Sequence, residues 1–288
     1  MAETGSKIFD LDALTDIADN DVLVEVDVSD TTDSADGTNK KITVRDLLGV
    51  LNNGWIPSGE TWSYSSVDDP TGVISCTDAD DFLSAGMRIS FVNGGNTTYG
   101  IITAVTSTTI TFLHEIDPTD SQALHLMANS AITVPRYSTQ KAPLNFPLSP
   151  DKWKVGVTDS TDRDEVGATN NQWYNLGGVS IDIPIGLWKT RYDLHLSVTD
   201  TTSISVRAEC TLSKVNNTED DTDFTCQIRN DGSSSTLSIR CNCSREKILD
   251  LSTKDTYYLN SRSLTGTSNL YNVNNQVPAI IEVVCAYL

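Results

Sequence analysis

The chain has 288 residues and a formal net charge of −19, from 39 acidic and 20 basic side chains. Hydrophobic residues make up 38% and charged residues 20%, which suits globular cores and argues against bulk disorder. No stretch approaches the roughly 20 apolar residues of a membrane span. The acid excess is spread along the chain without a basic stripe, which excludes nucleic acid as a partner on electrostatic grounds.

Residues 1–51 read as a hairpin followed by a short helix. Val22, Val24, Val26 and Val28 alternate with Leu23, Glu25 and Asp27, the period of a strand. A polar run containing Asp36-Gly37 turns the chain back into Ile42-Thr43-Val44, and residues 46–51 follow with a helical look. Such a section cannot bury enough apolar surface alone, so it needs a partner surface. The opening residues Met1 to Gly5 lack a basic n-region and an apolar h-region, so the expectation is that no signal exports the chain. Asp27, Asp30, Asp33 and Asp36 recur every third residue, yet they match a calcium loop poorly, and an exposed acidic turn is expected.

Residues 52–134 predict a small β-barrel. Strand-like runs at 87–92 and 97–105 flank Asn93-Gly94-Gly95-Asn96, a strong hairpin signal, and 108–113, 62–64 and 72–76 add further short strands. The segment 121–130 carries a helix-like cluster of Ala123, Leu124, Leu126 and Met127. Pro135, Pro143, Pro147 and Pro150 then favour extended geometry, so 135–150 reads as a spacer between domains.

Residues 151–288 carry the clearest strand signal. Trp188, Thr190, Tyr192, Leu194, Leu196 and Val198 fall on one face of a long strand, and Lys189, Arg191, Asp193, His195 and Ser197 on the other. About seven or eight alternating strands between polar turns predict a jelly-roll-like β-sandwich. The whole chain is therefore expected to be all-β.

The six cysteines sit mainly in strands: Cys210, Cys226, Cys241, Cys243 and Cys285 alternate in register with apolar residues. That placement predicts core-packed thiols, with a disulfide as the second reading; no CxxC or His-rich spacing supports a metal. Histidine occurs three times, at His114, His125 and His195, each without a partner motif. GxSxG, P-loop, HExxH and GxGxxG patterns are missing from the sequence, and the carboxylates cluster in turn-like runs such as Glu219-Asp220-Asp221-Thr222-Asp223. These observations predict no catalytic residue, no cofactor and no metal. The sequons at Asn96, Asn216 and Asn242 carry no weight without export.

The phrase LDALTDIADNDVLVEVDVSDTTDSADGTNKKITVRDLL resembles the N-terminal module that begins many fibre and minor structural proteins of tailed bacteriophages. GWIPSGETWSYSS, LSAGMRISF and GIITAVTSTTITF are similar to a small β domain of the same group, and APLNFPLSPDKWKVGVTDSTDR, NQWYNLGGVSIDIPIGLWKTRYDL and the final AYL extend the likeness over most of the chain. The resemblance implies a virion protein, assembled in the bacterial cytoplasm and released by lysis. It implies attachment to other virion proteins through residues 1–51, a distal sandwich in 151–288 and a homotrimeric state. A tail-associated fibre that binds a host cell-surface molecule leads; a capsid or neck decoration fibre is the alternative. A polysaccharide-degrading spike enzyme is the rival class, but such enzymes usually carry a repetitive β-helix and no such repeat is visible.

Recognition, if the sandwich performs it, is expected on loops. The candidates are 216–223, 230–235 and 263–276, with Tyr271, Leu270 and Asp231 as ligand-binding residues; tyrosine offers a flat apolar face and a hydroxyl.

Overall fold

The computed structural model describes residues 22–27, 38–43, 53–68, 71–117, 120–124, 131–201, 205–232, 237–266, 268–272 and 277–288. The chain divides into two compact units, Met1–Ile56 and Pro57–Leu288. In the first, β1 (Val22–Asp27) and β2 (Thr38–Thr43) form the expected antiparallel hairpin, in register from Val22↔Thr43 to Asp27↔Thr38. The helix expected over 46–51 and the acidic turn at 30–36 lie outside the described residues. A two-residue strand, β3 (Ile56–Pro57), marks the boundary between the units.

The second unit begins with one antiparallel sheet. Its strands are β4 (Ser63–Asp68), β5 (Thr71–Ser75), β6 (Arg88–Asn93), β7 (Asn96–Val105), β8 (Thr109–His114) and β11 (Ile132–Ser138), in spatial order β11-β6-β7-β8-β5-β4. A single helical turn, α1 (Ala79–Phe82), connects β5 to β6. Register shifts between Tyr64 and Ser66 and between Ile102 and Ala104 add twist, and the sheet curls into a half-barrel. Its concave face buries Trp62, Ile74, Ile89, Phe91, Ile102, Ile110 and Phe112, and the Phe91 ring meets Phe112 edge-on at 5.7 Å. Gly100 has no substitute here: a Cβ would lie 2.7 Å from the Phe112 ring and 2.9 Å from Ile89. The β6–β7 turn is the Gly94-Gly95 pair, with φ of 57° and 85°, as a tight hairpin requires. Two short strands, β9 (Ile116–Asp117) and β10 (Asp120–Leu124), pair with each other. The helix-like cluster expected around 121–130 is thus extended over its described part: only one apolar cluster supported the helix, too little to nucleate one.

Two sheets facing each other form the rest of the unit. The first contains β12 (Lys154–Asp159), β13 (Arg163–Ala168), β16 (Gly186–Asp200), β19 (Leu237–Leu251), β21 (Ser268–Asn272) and β22 (Ala279–Cys285). Its order is β12-β22-β16-β21-β13, with β19 paired to β16 along all 15 residues of both strands. The second contains β14 (Trp173–Tyr174), β15 (Ser180–Ile183), β17 (Ser205–Ser213), β18 (Cys226–Asp231) and β20 (Asp255–Ser263), ordered β14-β20-β17-β18 with β15 also on β20. The alternation expected for β16 is observed. Trp188, Tyr192, Leu194, Leu196 and Val198 are buried between the sheets, and Lys189, Arg191 and His195 face outward.

The structure corrects two further expectations. The proline-rich stretch 135–150 is packed rather than a spacer, because its apolar side chains have somewhere to go. Phe146 is buried and stacks on Trp153 at 5.0 Å, and the Trp153 Nε1–H donates to the Pro147 carbonyl at 2.7 Å. Beside them Arg88, 1% exposed, donates to the carbonyls of Gly86 (2.7 Å), Lys141 (3.1 Å) and Tyr287 (3.0 Å). The half-barrel and the sandwich therefore meet along a closed seam. The second correction concerns Cys241, which is exposed although the strand alternation assigned it to the core. It lies on β19, an edge strand, whose inward face is covered at Cys243 but not at Cys241. All six cysteines are free thiols.

Candidate functional site

Four strands of the first sandwich sheet bring their outward side chains into one row. Arg240 on β19 pairs with Ser197 on β16, Ser197 pairs with Tyr271 on β21, and Tyr271 pairs with Asp164 on β13. Strand spacing of about 4.8 Å makes the row roughly 14 Å long between backbones. Along β16, His195 and Thr199 flank Ser197 on the same face. Together with Asp162 and Arg163 these residues line an open cleft of about 410 Å³.

The burial pattern explains the outward aim. Leu196 and Val198 are fully buried, so the pleat turns Ser197 away from the core; Leu270 and Asn272 are buried, so Tyr271 turns out with it. The cleft is fixed by its rims. The Thr199 hydroxyl donates to Ser238 at 3.1 Å, His195 Nδ1 lies 2.8 Å from the Asn242 side-chain oxygen, and Arg163 is held to Asp159 at 3.1 Å. The Arg163 guanidinium and the Thr161 backbone N–H keep the Asp159 carboxyl below the usual carboxylate range, against the opposing pull of its partial burial. Inside that frame Arg240, Asp164, Asp162 and the Tyr271 and Ser197 hydroxyls make no hydrogen bond or ion pair among the described residues.

The structure separates the three residues that the sequence put forward. Tyr271 lines the cleft. Leu270, its neighbour, points the other way and is 0% exposed, so it is a core residue and not a ligand contact. Asp231 lies on β18 of the opposite sheet, where Arg229 and the Ser205 hydroxyl bind it at 2.5 Å each and hold its carboxyl below the ordinary range. The segment 263–276 is not one loop: its centre is β21.

The loop 216–223 is tied down rather than free. Asn260, fully buried on β20, donates to the Val215 and Thr218 carbonyls at 3.0 and 2.8 Å and accepts from the Asn217 N–H at 3.2 Å. Lys247 pairs with Asp221 at 2.6 Å and Asp223 at 2.8 Å, which raises its own pKa to about 12. On the same side of the molecule Arg262 binds Glu209 at 2.6 Å and lies 4.3 Å over the Trp173 ring. These groups satisfy one another, whereas Arg240, Asp164, Asp162 and the Tyr271 and Ser197 hydroxyls are paired with no group among the described residues.

Sequence reasoning marked Tyr271 and the outward face of β16 but missed Arg240 and Asp164. Only the pairing of β19 with β16 and of β13 with β21 brings them to the cleft, and that pairing has no local signal. His114 is buried in the half-barrel with Nδ1 3.0 Å from the Glu115 carbonyl, and His125 lies outside the described residues. Among the described residues no group of three or more His, Cys, Asp or Glu could hold a metal, and no helix is long and apolar enough to cross a membrane.

Comparison with known proteins leaves the chain without an assigned family. No family model matches it. No curated protein matches it. Among solved structures it is similar to dimeric latent PorU from Porphyromonas gingivalis, at 11% identity and a TM-score of 0.24, covering 79% of this chain but 24% of that one. The infectious bursal disease virus VP2 subviral particle gives 11% identity and a TM-score of 0.23 over 83% of this chain and 80% of that one. The isomalto-dextranase of Arthrobacter globiformis T6, complexed with panose, gives 13% and 0.21 over 77% and 36%. Likeness at this level carries no functional argument.

Proposed function

We propose that this chain is a structural component of a tailed-phage virion, a tail-associated fibre protein that attaches to a host cell-surface molecule. The observation that carries the reading is the cleft. Polar and aromatic groups, several of them unpaired among the described residues, converge on the outward face of a sheet, where contacts can form without ordering a loop. Its histidine is engaged by an amide, Asn242, rather than by a carboxylate, an arrangement that supports binding over acid–base chemistry. The resemblance of residues 11–48 to a phage attachment module supports a role for residues 1–51 in docking to other virion proteins.

The same reading makes the working state a homotrimer that acts without catalysis and without a cofactor. Sedimentation of the purified chain is expected to give a trimer, and a stable monomer at micromolar concentration contradicts that part. Fluorescently labelled full-length protein is expected to bind host cells saturably, and Tyr271→Ala or Arg240→Met to weaken the binding. Saturable binding that both variants leave unchanged removes the cleft from the reading. Absence of any binding, with the protein mapped to the capsid or neck of the particle, favours the decoration fibre instead.

A further inference from the structure

The cleft is electrically lopsided along its row. Arg240 stands at one end and Asp164 with Asp162 at the other, where Arg163 is already paired with Asp159, and Ser197 and Tyr271 lie between. On a sheet, opposite charges on adjacent strands would neutralise each other. Here two strands separate Arg240 from Asp164, so neither quenches the other, and both face the same open volume. The ends differ in kind as well as in sign. A guanidinium fork selects a phosphate or carboxylate, and Ser197 beside it supplies a hydroxyl donor. At the far end a tyrosine ring next to a carboxylate attracts an alkylated ammonium through the ring face and the charge together.

We propose that the cleft binds a zwitterionic phosphoamine headgroup of the phosphocholine class, its phosphate on Arg240 and Ser197 and its ammonium between Tyr271 and Asp164. The inference rests on the attachment reading only for its biological meaning. A short ligand such as an α-amino acid holds its two charged groups on a single carbon and cannot reach both ends. A phosphoamine carries an ester oxygen and two carbons between them, a span of the order of the ~4.8 Å between the adjacent strands that bear Ser197 and Tyr271. The cleft volume of about 410 Å³ leaves room for the group to which the phosphate is esterified.

The test is calorimetric titration of the full chain with phosphocholine, choline chloride, inorganic phosphate and glucose. Phosphocholine is expected to bind at least about tenfold more tightly than either half, with glucose silent. Arg240→Met is expected to lose about tenfold for phosphocholine and phosphate while sparing choline. Asp164→Asn and Tyr271→Ala should do the reverse, lowering choline and phosphocholine but sparing phosphate. All three side chains face solvent, and an unchanged melting temperature verifies the fold of each variant. Phosphocholine that binds no better than phosphate, or that ignores Tyr271→Ala, overturns the proposal. Pelleting with phosphatidylcholine vesicles, alongside binding of free phosphocholine, makes a lipid the source; free binding without pelleting makes it a glycan- or polymer-linked headgroup. Cell binding separates the two readings. If phosphocholine fails but Tyr271→Ala still weakens cell binding, the headgroup is wrong and attachment stands. If phosphocholine binds and cells are ignored, attachment is wrong and the headgroup stands.

Discussion

Replacing Arg88 by Met tests whether the seam makes the half-barrel and the sandwich one folding unit. Methionine keeps the apolar stem and removes the fork that joins Gly86 and Lys141 to Tyr287. Three charge-assisted bonds at roughly 1.5–3 kcal/mol each give a gross loss of about 4–9 kcal/mol. The guanidinium is completely enclosed, and burial lowers its pKa below the ordinary arginine range. Its removal therefore also recovers several kcal/mol of desolvation, and the Phe146 ring 5.1 Å away is lost as a cation–π partner. The net expectation is a destabilisation of about 2–4 kcal/mol, or roughly 5–15 °C in melting temperature for a unit of this size. Arg88→Lys should recover only part of this, since a point charge cannot serve three divergent carbonyls. Scanning calorimetry supplies the magnitude, and limited proteolysis supplies the location, with new cuts expected near Lys141 and the last strand. A variant that melts within about 2 °C of the parent and cuts no faster would show that the seam holds without the guanidinium, through the Phe146–Trp153 packing and its remaining polar ties.

Three further outcomes concern the sandwich, two at buried hydrogen bonds and one at its more exposed thiols. Tyr192→Phe deletes the hydroxyl that donates to the Phe224 carbonyl at 2.7 Å deep in the sandwich, and chemical denaturation should register about 1–3 kcal/mol. Asn260→Ala releases the loop 216–223, visible as faster hydrogen exchange at Asn217 and a similar loss of about 1–3 kcal/mol; unchanged exchange would mean that its other ties, to Lys247, Lys214 and Asn175, hold it without Asn260. Cys226, half-exposed, has its thiol drawn down to about 6 by the hydrogen bond from Cys210, which outweighs its partial burial. Since a lowered pKa fills the thiolate as pH rises, alkylation at Cys226 should climb through pH 6 and level off by neutrality. Alkylation at Cys241 should still be climbing above pH 9, because partial burial of its sulfur raises its pKa. Equal pH profiles at the two sites would contradict the assignment.

The strand pattern was legible because burial in a sandwich imposes a period of two that few other structures share. The alternation from Trp188 to Val198 needed no neighbour to be read, and neither did the Gly94-Gly95 hairpin. The seam was not legible, since Pro135, Pro143, Pro147 and Pro150 do dictate extended backbone but say nothing about what that backbone packs against. Phe146 and Trp153, placed on either side of the last two prolines, were the signal that an apolar partner existed. Cys241 failed for a related reason: alternation tells which face a residue is on, and only the opposing sheet decides whether that face is covered.

The cleft depends on information that alternation cannot contain. Tyr271 is outward because Leu270 and Asn272 are inward, and that much could be read from five residues of β21. Its position opposite Ser197 and Asp164 is a matter of register, fixed by the side chains packed beneath the row: Leu196, Val198 and Leu270 are all fully buried there. Sliding β21 by one residue along β16 would exchange the two faces, expose Leu270 and bury Tyr271 with its hydroxyl unpaired. The apolar contacts that stabilise the sandwich are therefore the same contacts that assemble the cleft. Arg240 arrives by the same logic, through the 15-residue pairing of β19 with β16, in which any slip costs the burial of Cys243 and Leu249 before it moves the guanidinium.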